Sequence, residues 1–448
     1  MTEMPNPADL IDDRPADGVF RVHRAIFDDP NIFELEMRHI FEGGWVFLGL
    51  ASQAPGPNDF FTTTIGRLPV LVMRDRDGML RGFVNTCPHK GARIAQTQAG
   101  NARLHVCAYH SWTFDSAGRN TGVKWKKAGC YAAAFDDDSH DLAPLPAFGD
   151  YRGFLFGSLA GGMPPLEAHL GEAAKLLDLV ADQSTEGVEL VPGTVTFTFD
   201  ANWKLQLENC SDAYHFTSTH PSYIRVLEKR KEAPDQAVAR SVWEDNPAWS
   251  EDAAGIQGGS YSFPGGHVLN WGRIGVSDAL PLFESADALE ARVGRERRDW
   301  MFNLRNLTIF PNLQIAENAS SQLRVIRPIS ARRTEMRTWC IAPKGESAAA
   351  RRQRIRQYED FFNPSGMATP DDTVSYENCQ AGFASRVEPW LQGHGRGMTA
   401  SRSGGNAFSE PLGMMPGRSV LADAQLCDET LLHNYYREWA RRLAGATA

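Results

Sequence analysis

Four residues that can bind metal ions fall into two short pairs between positions 87 and 110. Cys87 and His89 are separated by one residue and Cys107 and His110 by two, with seventeen residues between the pairs. Zinc accepts four such ligands, but its short motifs usually pair Cys with Cys and His with His. One Cys and one His in each pair instead favour a [2Fe–2S] cluster, in which two Cys hold one iron and two His hold the other. We therefore predict such a cluster, with a zinc-binding interaction module as the alternative.

A second group of candidate ligands lies at residues 212–220. Asp212 and His215 are three residues apart and share one face of a helix. His215 and His220 are five apart, about 140° from each other around an ideal helix. They converge only if the helix ends or distorts, and Pro221 favours this because the residue before a proline avoids the helical region. The pattern predicts a second metal site, and a capping or core pair of histidines is the alternative.

A pair of acidic residues, Asp371 and Asp372, follows Thr369 and Pro370. Proline near the first helical position and acidic residues in the first turn are typical of a helix start. By residue type alone, these carboxylates predict a helix N-terminus. That position does not prevent one of them from also binding a metal ion.

The elements that must position these residues change in type along the chain. Residues 22–47 have apolar residues at three- and four-residue steps and predict a helix. β-Branched runs divided by an Asp-Gly turn predict a small all-β domain at residues 46–160. Glycines and prolines at 161–165 predict a linker. Residues 161–448 combine helical and strand patterns and predict an α+β domain, with an antiparallel sheet flanked by helices.

Composition limits the classes of partner. The chain has 448 residues and a formal net charge of −9, so we expect no nucleic acid and no membrane as partners, because both bind clustered Lys and Arg. The acidic, proline-rich first twenty residues differ from a secretion signal. Seven Cys in a chain of this length point to thiols or metal ligands rather than to a disulfide scaffold. We expect a cytoplasmic protein.

Two segments resemble the cluster-binding loops of Rieske proteins. They are CPHKGAR and CAYHSWTFDSAGR, and the resemblance assigns the [2Fe–2S] cluster to Cys87, His89, Cys107 and His110. The segment NWKLQLENCSDAYHFTSTH resembles the mononuclear iron motif of Rieske non-heme iron ring-hydroxylating oxygenases. The small all-β domain is then the Rieske domain, residues 161–448 are the catalytic domain, and residues 1–45 are an N-terminal segment that packs on the catalytic domain.

The resemblance to these oxygenases implies a role for each residue of the second site. His215 and His220 are ligands of Fe(II), and a distant carboxylate completes a facial triad that leaves positions open for dioxygen. Matching MATPDDTVSYENC to the family makes Asp372 this carboxylate, with Asp371 as the alternative.

Two neighbouring residues also match the family pattern. Asn209 corresponds to the Asn near the iron. Asp212 corresponds to the Asp that links the iron site to a cluster histidine, here His110, of a neighbouring subunit. The resemblance therefore implies a trimer of large subunits, each expected with a separate small beta subunit, in which electrons cross from one chain to the next.

Further segments resemble the large (alpha) subunits of benzoate, toluate and anthranilate dioxygenases; these are residues 150–159, 305–315, 340–346 and 357–372. The expected activity is hydroxylation of an aromatic carboxylic acid with O2, giving a cis-diol. No G-x-G-x-x-G follows a predicted strand, so NAD(P)H is expected to act only through a separate reductase, with or without a ferredoxin. Candidates for holding the substrate carboxylate are Arg305, Arg324 and Arg327, because the guanidinium fork matches two oxygens.

Two alternative functions stay open on the sequence alone. One is a monooxygenase of a related acid, such as a chlorophenoxyacetate or salicylate, because both reactions use the same metals. The other is a Rieske electron-transfer protein without oxygenase activity.

Overall fold

The computed structural model describes residues 6–232, 241, 258–385, 387–422 and 428–444. The chain divides into two compact units, a smaller one of residues 41–166 and a larger one of residues 1–40 and 167–448. Within the described residues, no helix combines the length and the apolar composition that crossing a bilayer requires.

The N-terminal part of the larger unit begins with strands β1 (Ile11–Arg14) and β2 (Val19–His23) and helix α1 (Pro30–Glu36), followed by a π-helical turn at Met37–Phe41. The single helix predicted over residues 22–47 is therefore wrong at both ends. In β2 the side chains alternate between buried and exposed, as in a strand. Helix α1 begins only at Pro30, where Asp29 accepts a hydrogen bond from the N–H of Asn31 at 2.7 Å.

The smaller unit is built from short antiparallel strands. They are β3 (Val46–Leu50), β4 (Asp59–Ile65), β5 (Leu68–Arg74), β6 (Leu80–Val84), β7 (Ala99–Asn101), β8 (Leu104–Val106), β9 (Thr113–Asp115), β10 (Asn120–Gly122), β11 (Ala147–Tyr151) and β12 (Phe154–Ser158), with one short helix, α2 (Ala134–Asp137). Three sheets result, with the orders β6-β5-β4-β7, β10-β9-β8 and β11-β12-β3. The core of the first two sheets packs Leu71, Phe83, Trp112 and Phe114 around Cys87 and Cys107.

The larger unit continues with helices and strands in alternation. The helices are α3 (Leu166–Leu170), α4 (Ala174–Ala181), α5 (Trp203–Ser211), α6 (Phe216–Thr219), α7 (Pro221–Glu232), α8 (Ala286–Val293), α9 (Arg295–Phe302), α10 (Ala348–Phe361), α11 (Thr369–Phe383) and α12 (Thr430–Ala444). The strands are β13 (Val188–Leu190), β14 (Val195–Phe199), β15 (Gly258–Phe263), β16 (His267–Gly272), β17 (Leu304–Ile309), β18 (Leu313–Glu317), β19 (Ser321–Ser330), β20 (Arg333–Pro343), β21 (Trp390–Leu391), β22 (Arg402–Ser403) and β23 (Arg418–Ala422).

One ten-stranded antiparallel sheet organises this unit, in the order β13-β20-β19-β18-β17-β16-β15-β23-β22, with β14 also paired to β20. Helix α5 lies on one face of the sheet, where Gln314 donates from Nε2 to the carbonyls of Gln206 and Leu207 at 3.2 and 3.4 Å. The predicted α+β fold class, with a small all-β domain and a larger domain that combines an antiparallel sheet with helices, is confirmed.

A fully buried carboxylate joins three helices of the larger unit. Glu36 at the end of α1 accepts hydrogen bonds from the indole N–H groups of Trp203 and Trp439, at 2.8 and 2.7 Å. The ammonium group of Lys204 lies 2.5 Å from the same carboxylate, and both side chains are almost completely buried. This group of residues connects the N-terminal segment and α12 to the first turn of α5.

Candidate metal centres

Two loops of the smaller unit close in the same way. In each loop the Cys N–H donates to the carbonyl five residues later, and the N–H four residues later donates to the Cys carbonyl, at 2.8–2.9 Å. The fifth residue of each loop, Gly91 or Ser111, has a left-handed backbone with φ of 74° or 59°. A left-handed residue reverses the chain sharply and suits glycine more than serine. The two loops therefore present their Cys and His residues from two similar turns.

The loops bring the four predicted cluster ligands together. Both Cys residues are buried, and the imidazole rings of His89 and His110 have centroids 4.4 Å apart. Burial raises the pKa of the Cys87 thiol, and the adjacent Cys107 thiol raises it further. Cysteine binds a metal ion as its thiolate, so both buried Cys residues would release their protons when a metal centre binds.

Atoms without partners show that this donor set fits a bound group. The Nδ1 atoms of His89 and His110 are both buried, and neither has a hydrogen-bond partner among the described residues. Buried polar atoms are normally satisfied. Two such nitrogens beside two buried thiols match a [2Fe–2S] cluster with two Cys and two His ligands.

Asn85 supports the first loop and was not singled out from the sequence. Its side chain accepts hydrogen bonds from the N–H groups of Ile94 and Ala95 and donates to the carbonyl of Ala95, at 2.8–3.1 Å. Trp112 stacks on the ring of His89 with centroids 4.9 Å apart. Only the contacts in the folded unit reveal the role of Asn85, because this residue lies outside the motif spacing.

The second site lies where α5 ends. The backbone becomes extended at Asp212, and His215 precedes the short helix α6. His220 has φ −110° and ψ 39°, between α6 and the helix that begins at Pro221. The break predicted from the proline is therefore present, and it allows two histidines five residues apart to face the same point. Asp372 comes from the first turn of α11.

His215, His220 and Asp372 form one compact group of donor atoms, all within 4.8 Å of one another. The Oδ1 atom of Asp372 is 3.5 Å from Nε2 of His215 and 3.2 Å from Nε2 of His220. Asn209 donates from Nδ2 to the same oxygen at 3.0 Å. Two imidazole nitrogens and one carboxylate oxygen facing a common point fit a 2-His-1-carboxylate iron site.

A carboxylate also lies on the far side of each histidine. Asp212 Oδ2 is 3.3 Å from Nδ1 of His215, and Asp371 Oδ2 is 3.5 Å from Nδ1 of His220. Metal-bound histidines commonly have their second ring nitrogen beside such a group, which fixes the ring orientation. Asp371, the alternative ligand in the sequence prediction, thus faces the back of His220 and not the point shared by the two Nε2 atoms.

The charges in the group favour an ionised carboxylate. Burial would raise the pKa of Asp372, but hydrogen bonding and the positive charge of His220 and His215 hold this pKa below its ordinary value. Burial lowers the pKa of His215, but the carboxylates of Asp212 and Asp372 raise it by more. The negative oxygen that an iron ion requires is therefore maintained in the folded chain.

A cavity opens beside the three donors. Its walls combine apolar and polar side chains, namely Ala213, Phe216, Leu304 and Phe361 with Cys210, Asn306, Asn318 and Arg324. Apolar walls with a few polar groups among them are typical of a site for a small organic molecule. Of the three predicted arginines, only Arg324 lines this cavity.

Family models match both units of the chain. Residues 182–445 match the model described as "Ring hydroxylating alpha subunit (catalytic domain)", and residues 44–132 match the model described as "Rieske [2Fe-2S] domain". Members of this family are terminal oxygenases that work with a reductase and often with a beta subunit in oligomers.

Named relatives give the same result. The chain is 44% identical to toluate 1,2-dioxygenase subunit alpha of Pseudomonas putida, over 87% of this chain and 86% of that protein. It is 39% identical to anthranilate 1,2-dioxygenase large subunit of Acinetobacter baylyi, over 96% and 91%. A solved structure of naphthalene 1,2-dioxygenase with indole bound in its active site superimposes with a TM-score of 0.80 at 26% identity, over 95% of this chain and 92% of that one.

These matches confirm the resemblance and the two cofactors that it implies, a Rieske [2Fe–2S] cluster and a mononuclear non-heme iron. The unpartnered nitrogens of His89 and His110 agree with the cluster, and the three converging donors of the larger unit agree with the mononuclear iron. The chain therefore belongs to the alpha subunits of the Rieske-type ring-hydroxylating dioxygenases, oxidoreductases that incorporate O2 into their substrates.

Proposed function

We propose that this chain is the terminal oxygenase subunit of an enzyme that adds O2 to an aromatic carboxylic acid, with electrons from a separate NAD(P)H-dependent reductase. The observation that carries this proposal is the convergence of His215, His220 and Asp372 at the wall of a cavity with aromatic side chains and one arginine. Relatives named for toluate and anthranilate support the substrate class.

In this proposal His215, His220 and Asp372 bind Fe(II), and Cys87, His89, Cys107 and His110 bind the [2Fe–2S] cluster. A ferrous ion held by two histidines and one carboxylate supplies oxygen activation, because that ligand set leaves coordination positions open. The protein supplies orientation. Two contacts support this orienting role: the amide of Asn209 donates to Asp372 at 3.0 Å, and the Asp212 carboxylate lies beside His215.

The cavity walls position the substrate and exclude water. Phe216 and Phe361 provide two aromatic surfaces, and Leu304 provides an aliphatic one. Such surfaces bind a flat aromatic ring, and the few polar groups among them fix its orientation. A ring held in this way keeps one edge towards the donors of the iron site.

Electrons enter one at a time from the reductase and pass, in this proposal, from the cluster of one subunit through its His110 to Asp212 of a neighbouring subunit. Tyr109, directly before His110, is 63% exposed, as suits a surface that docks on another chain. Asp212 is about one-fifth exposed and is in contact with His215. A trimer of alpha subunits, each with a small beta subunit, belongs to the same proposal.

Addition of both oxygen atoms to adjacent ring carbons consumes one O2, two electrons and two protons and gives a cis-diol. A monooxygenase of a related acid, such as salicylate or a chlorophenoxyacetate, would place one atom in the product and the other in water. The relatives named as 1,2-dioxygenases support the first outcome.

Turnover with isotopic oxygen tests the function. The chain, co-expressed with its beta subunit and supplied with a reductase and NADH, is given benzoates, aminobenzoates, hydroxybenzoates and phenoxyacetates under ¹⁸O2. Dioxygenation labels two product oxygens, monooxygenation labels one, and an electron-transfer protein gives no labelled product. The His215→Ala variant is expected to keep the visible spectrum of the cluster and to lose the product.

A cytoplasmic location remains a prediction of the sequence. Fractionation of cells that express the native chain tests it, and recovery of the protein in the membrane fraction would contradict it.

A further inference from the structure

Arg324 is a cation in the wall of the cavity that contains the iron donors. Its Nε atom donates to Oε1 of Gln322 at 2.5 Å, and its guanidinium lies 5.4 Å from the centre of the Phe362 ring. Within the described part of the chain, no Asp or Glu lies within ion-pair distance of it, and its two terminal nitrogens donate no hydrogen bond. A half-buried cation of this kind is stabilised when an anion binds beside it.

The other two arginines that the sequence offered are already neutralised. Arg305 is buried and paired with the carboxylate of Glu317, with Nε 3.0 Å from Oε2. Arg327 lies 3.2 Å from the carboxylate of Glu335. Neither lines the cavity, whereas Arg324 is the only Lys or Arg among its described lining residues.

The backbone of Arg324 is held firmly in the sheet. Strand β19 pairs on both sides, and Arg324 lies between Gln314 of β18 and Thr338 of β20 in the ladder. The side chains of both neighbours are almost completely buried. The guanidinium of Arg324 therefore extends from a fixed backbone position in the middle of a large sheet. A group bound to it takes a defined place relative to Asp372, which lines the same cavity.

We propose that Arg324 binds the carboxylate of the substrate, a specificity-determining role that rests on the proposed function. Its free terminal nitrogens offer the parallel donors that a carboxylate accepts from arginine. The ring attached to that carboxylate then lies against Phe216 and Phe361. The ring carbons nearest the anchored group are thereby held at a fixed distance from the iron donors.

A different role for Arg324 would be electrostatic support of Asp372, since both residues also line a second, smaller cavity with Tyr376. The two roles differ in what they predict. Support of Asp372 affects all ligands equally, whereas a carboxylate anchor affects only acids. A neutral molecule of the same shape therefore separates them.

Binding of benzoate and of its neutral analogue benzamide to the anaerobic holoenzyme, measured by calorimetry, tests the proposal. In Arg324→Met the Kd for benzoate should rise roughly 10- to 100-fold, the range for loss of hydrogen bonds to a charged group. The Kd for benzamide should stay near the wild-type value. Arg324→Lys keeps the charge but not the fork, and should give an intermediate Kd for benzoate.

Arg327→Met is the matched control, because it removes an arginine from the same strand outside the cavity, and its Kd for benzoate should be unchanged. Unchanged benzoate binding in Arg324→Met, equal losses for benzoate and benzamide, or no binding of benzoate to the wild type would each overturn the proposal. Failure of the proposed function is distinguishable, because it appears as benzoate that binds normally and yields no ¹⁸O-labelled product.

Discussion

Asn209 donates a hydrogen bond from Nδ2 to Oδ1 of Asp372 at 3.0 Å, across 163 residues of sequence. The same nitrogen lies 3.3 Å from Nε2 of His215. One amide on α5 therefore touches two of the three iron donors, one of them carried by α11. The contact fixes the distance between the two helices at the point where the donors converge.

Replacement of Asn209 should weaken iron binding more than it weakens the fold. Loss of a group that orients a metal ligand typically costs about 10- to 100-fold in metal affinity or activity, and we expect a loss of this size in Asn209→Ala. Anaerobic competition of the protein with a ferrous chelator measures it. The exposed Asn31→Ala is the control, and equal iron affinity in both variants would refute the orienting role of Asn209.

The sequence revealed the parts of the two sites whose residues are close along the chain. The loops at 87–110 and the segment at 207–221 carry their own spacing, and even the break at His220 follows from Pro221. Asp372 was reached only through family resemblance, because its position at a helix start has a complete explanation without a metal. The folded chain separates the two adjacent acids, with Asp372 facing both Nε2 atoms and Asp371 behind His220.

Contacts between distant segments gave no signal in the sequence. Glu36 lies in an amphipathic stretch whose pattern predicts only a helix, and nothing in it indicates a lysine partner 168 residues away. The three arginines were equivalent candidates by residue type. Only the pairing of Arg305 and Arg327 with glutamates, and the opening of the cavity beside Arg324, distinguishes them.

Asp212→Asn should separate metal binding from electron delivery. The amide keeps the size of the side chain but loses the charge beside Nδ1 of His215. We expect both metal centres to remain bound, because Asp212 is not among the converging donors and asparagine keeps an oxygen that can accept a hydrogen bond from Nδ1 of His215. Reoxidation of the reduced cluster with substrate and O2, followed by stopped-flow absorbance, should be much slower than in the wild type. A wild-type rate would remove Asp212 from the path of the electrons.

Two glycines of the smaller unit should differ in how much their replacement by alanine destabilises the fold. Gly91 has φ +74° and open space around an added Cβ, so Gly91→Ala should cost only the strain of a left-handed alanine, about 1–2 kcal/mol. Gly118 has φ +82°, and its added Cβ would lie 2.3 Å from the Phe83 ring. Gly118→Ala should therefore be more destabilising than Gly91→Ala. Thermal loss of the cluster absorbance measures both, and the reverse order would contradict the geometry.

The buried pair of Lys204 and Glu36 should respond to single and double substitution differently. Removal of one partner of a buried ion pair typically costs about 3–5 kcal/mol, because the other charge stays buried without compensation. We expect a loss of this size in the free energy of unfolding of Lys204→Met. The double variant Glu36→Gln, Lys204→Met leaves no charge and should recover part of the loss. Denaturant unfolding monitored by Trp fluorescence measures this, and additive losses in the double variant would show that the two side chains are not coupled.

Glu429, directly before α12, should make stability depend on pH. Its pKa is raised from 4.5 to about 7, mainly by burial; the nearby Asp212 and Glu208 also raise it, and His394 and Arg396 act in the opposite direction. Between these two pH values the folded chain keeps a proton that the unfolded chain has released. The free energy of unfolding should therefore fall as pH rises through this window, by up to about 3 kcal/mol, and level off above it.

Glu429→Gln should abolish this pH dependence of stability, since glutamine does not titrate. Relative to the wild type, the variant should be more stable at about pH 8 than at about pH 5, because only the wild type carries a buried negative charge at the higher pH. Denaturant unfolding of both proteins at the two pH values measures this difference. The exposed Glu410→Gln controls for removal of a negative charge from the chain. If Glu429→Gln and the wild type differed by the same free energy at both pH values, Glu429 would be ionised in the folded chain throughout the range.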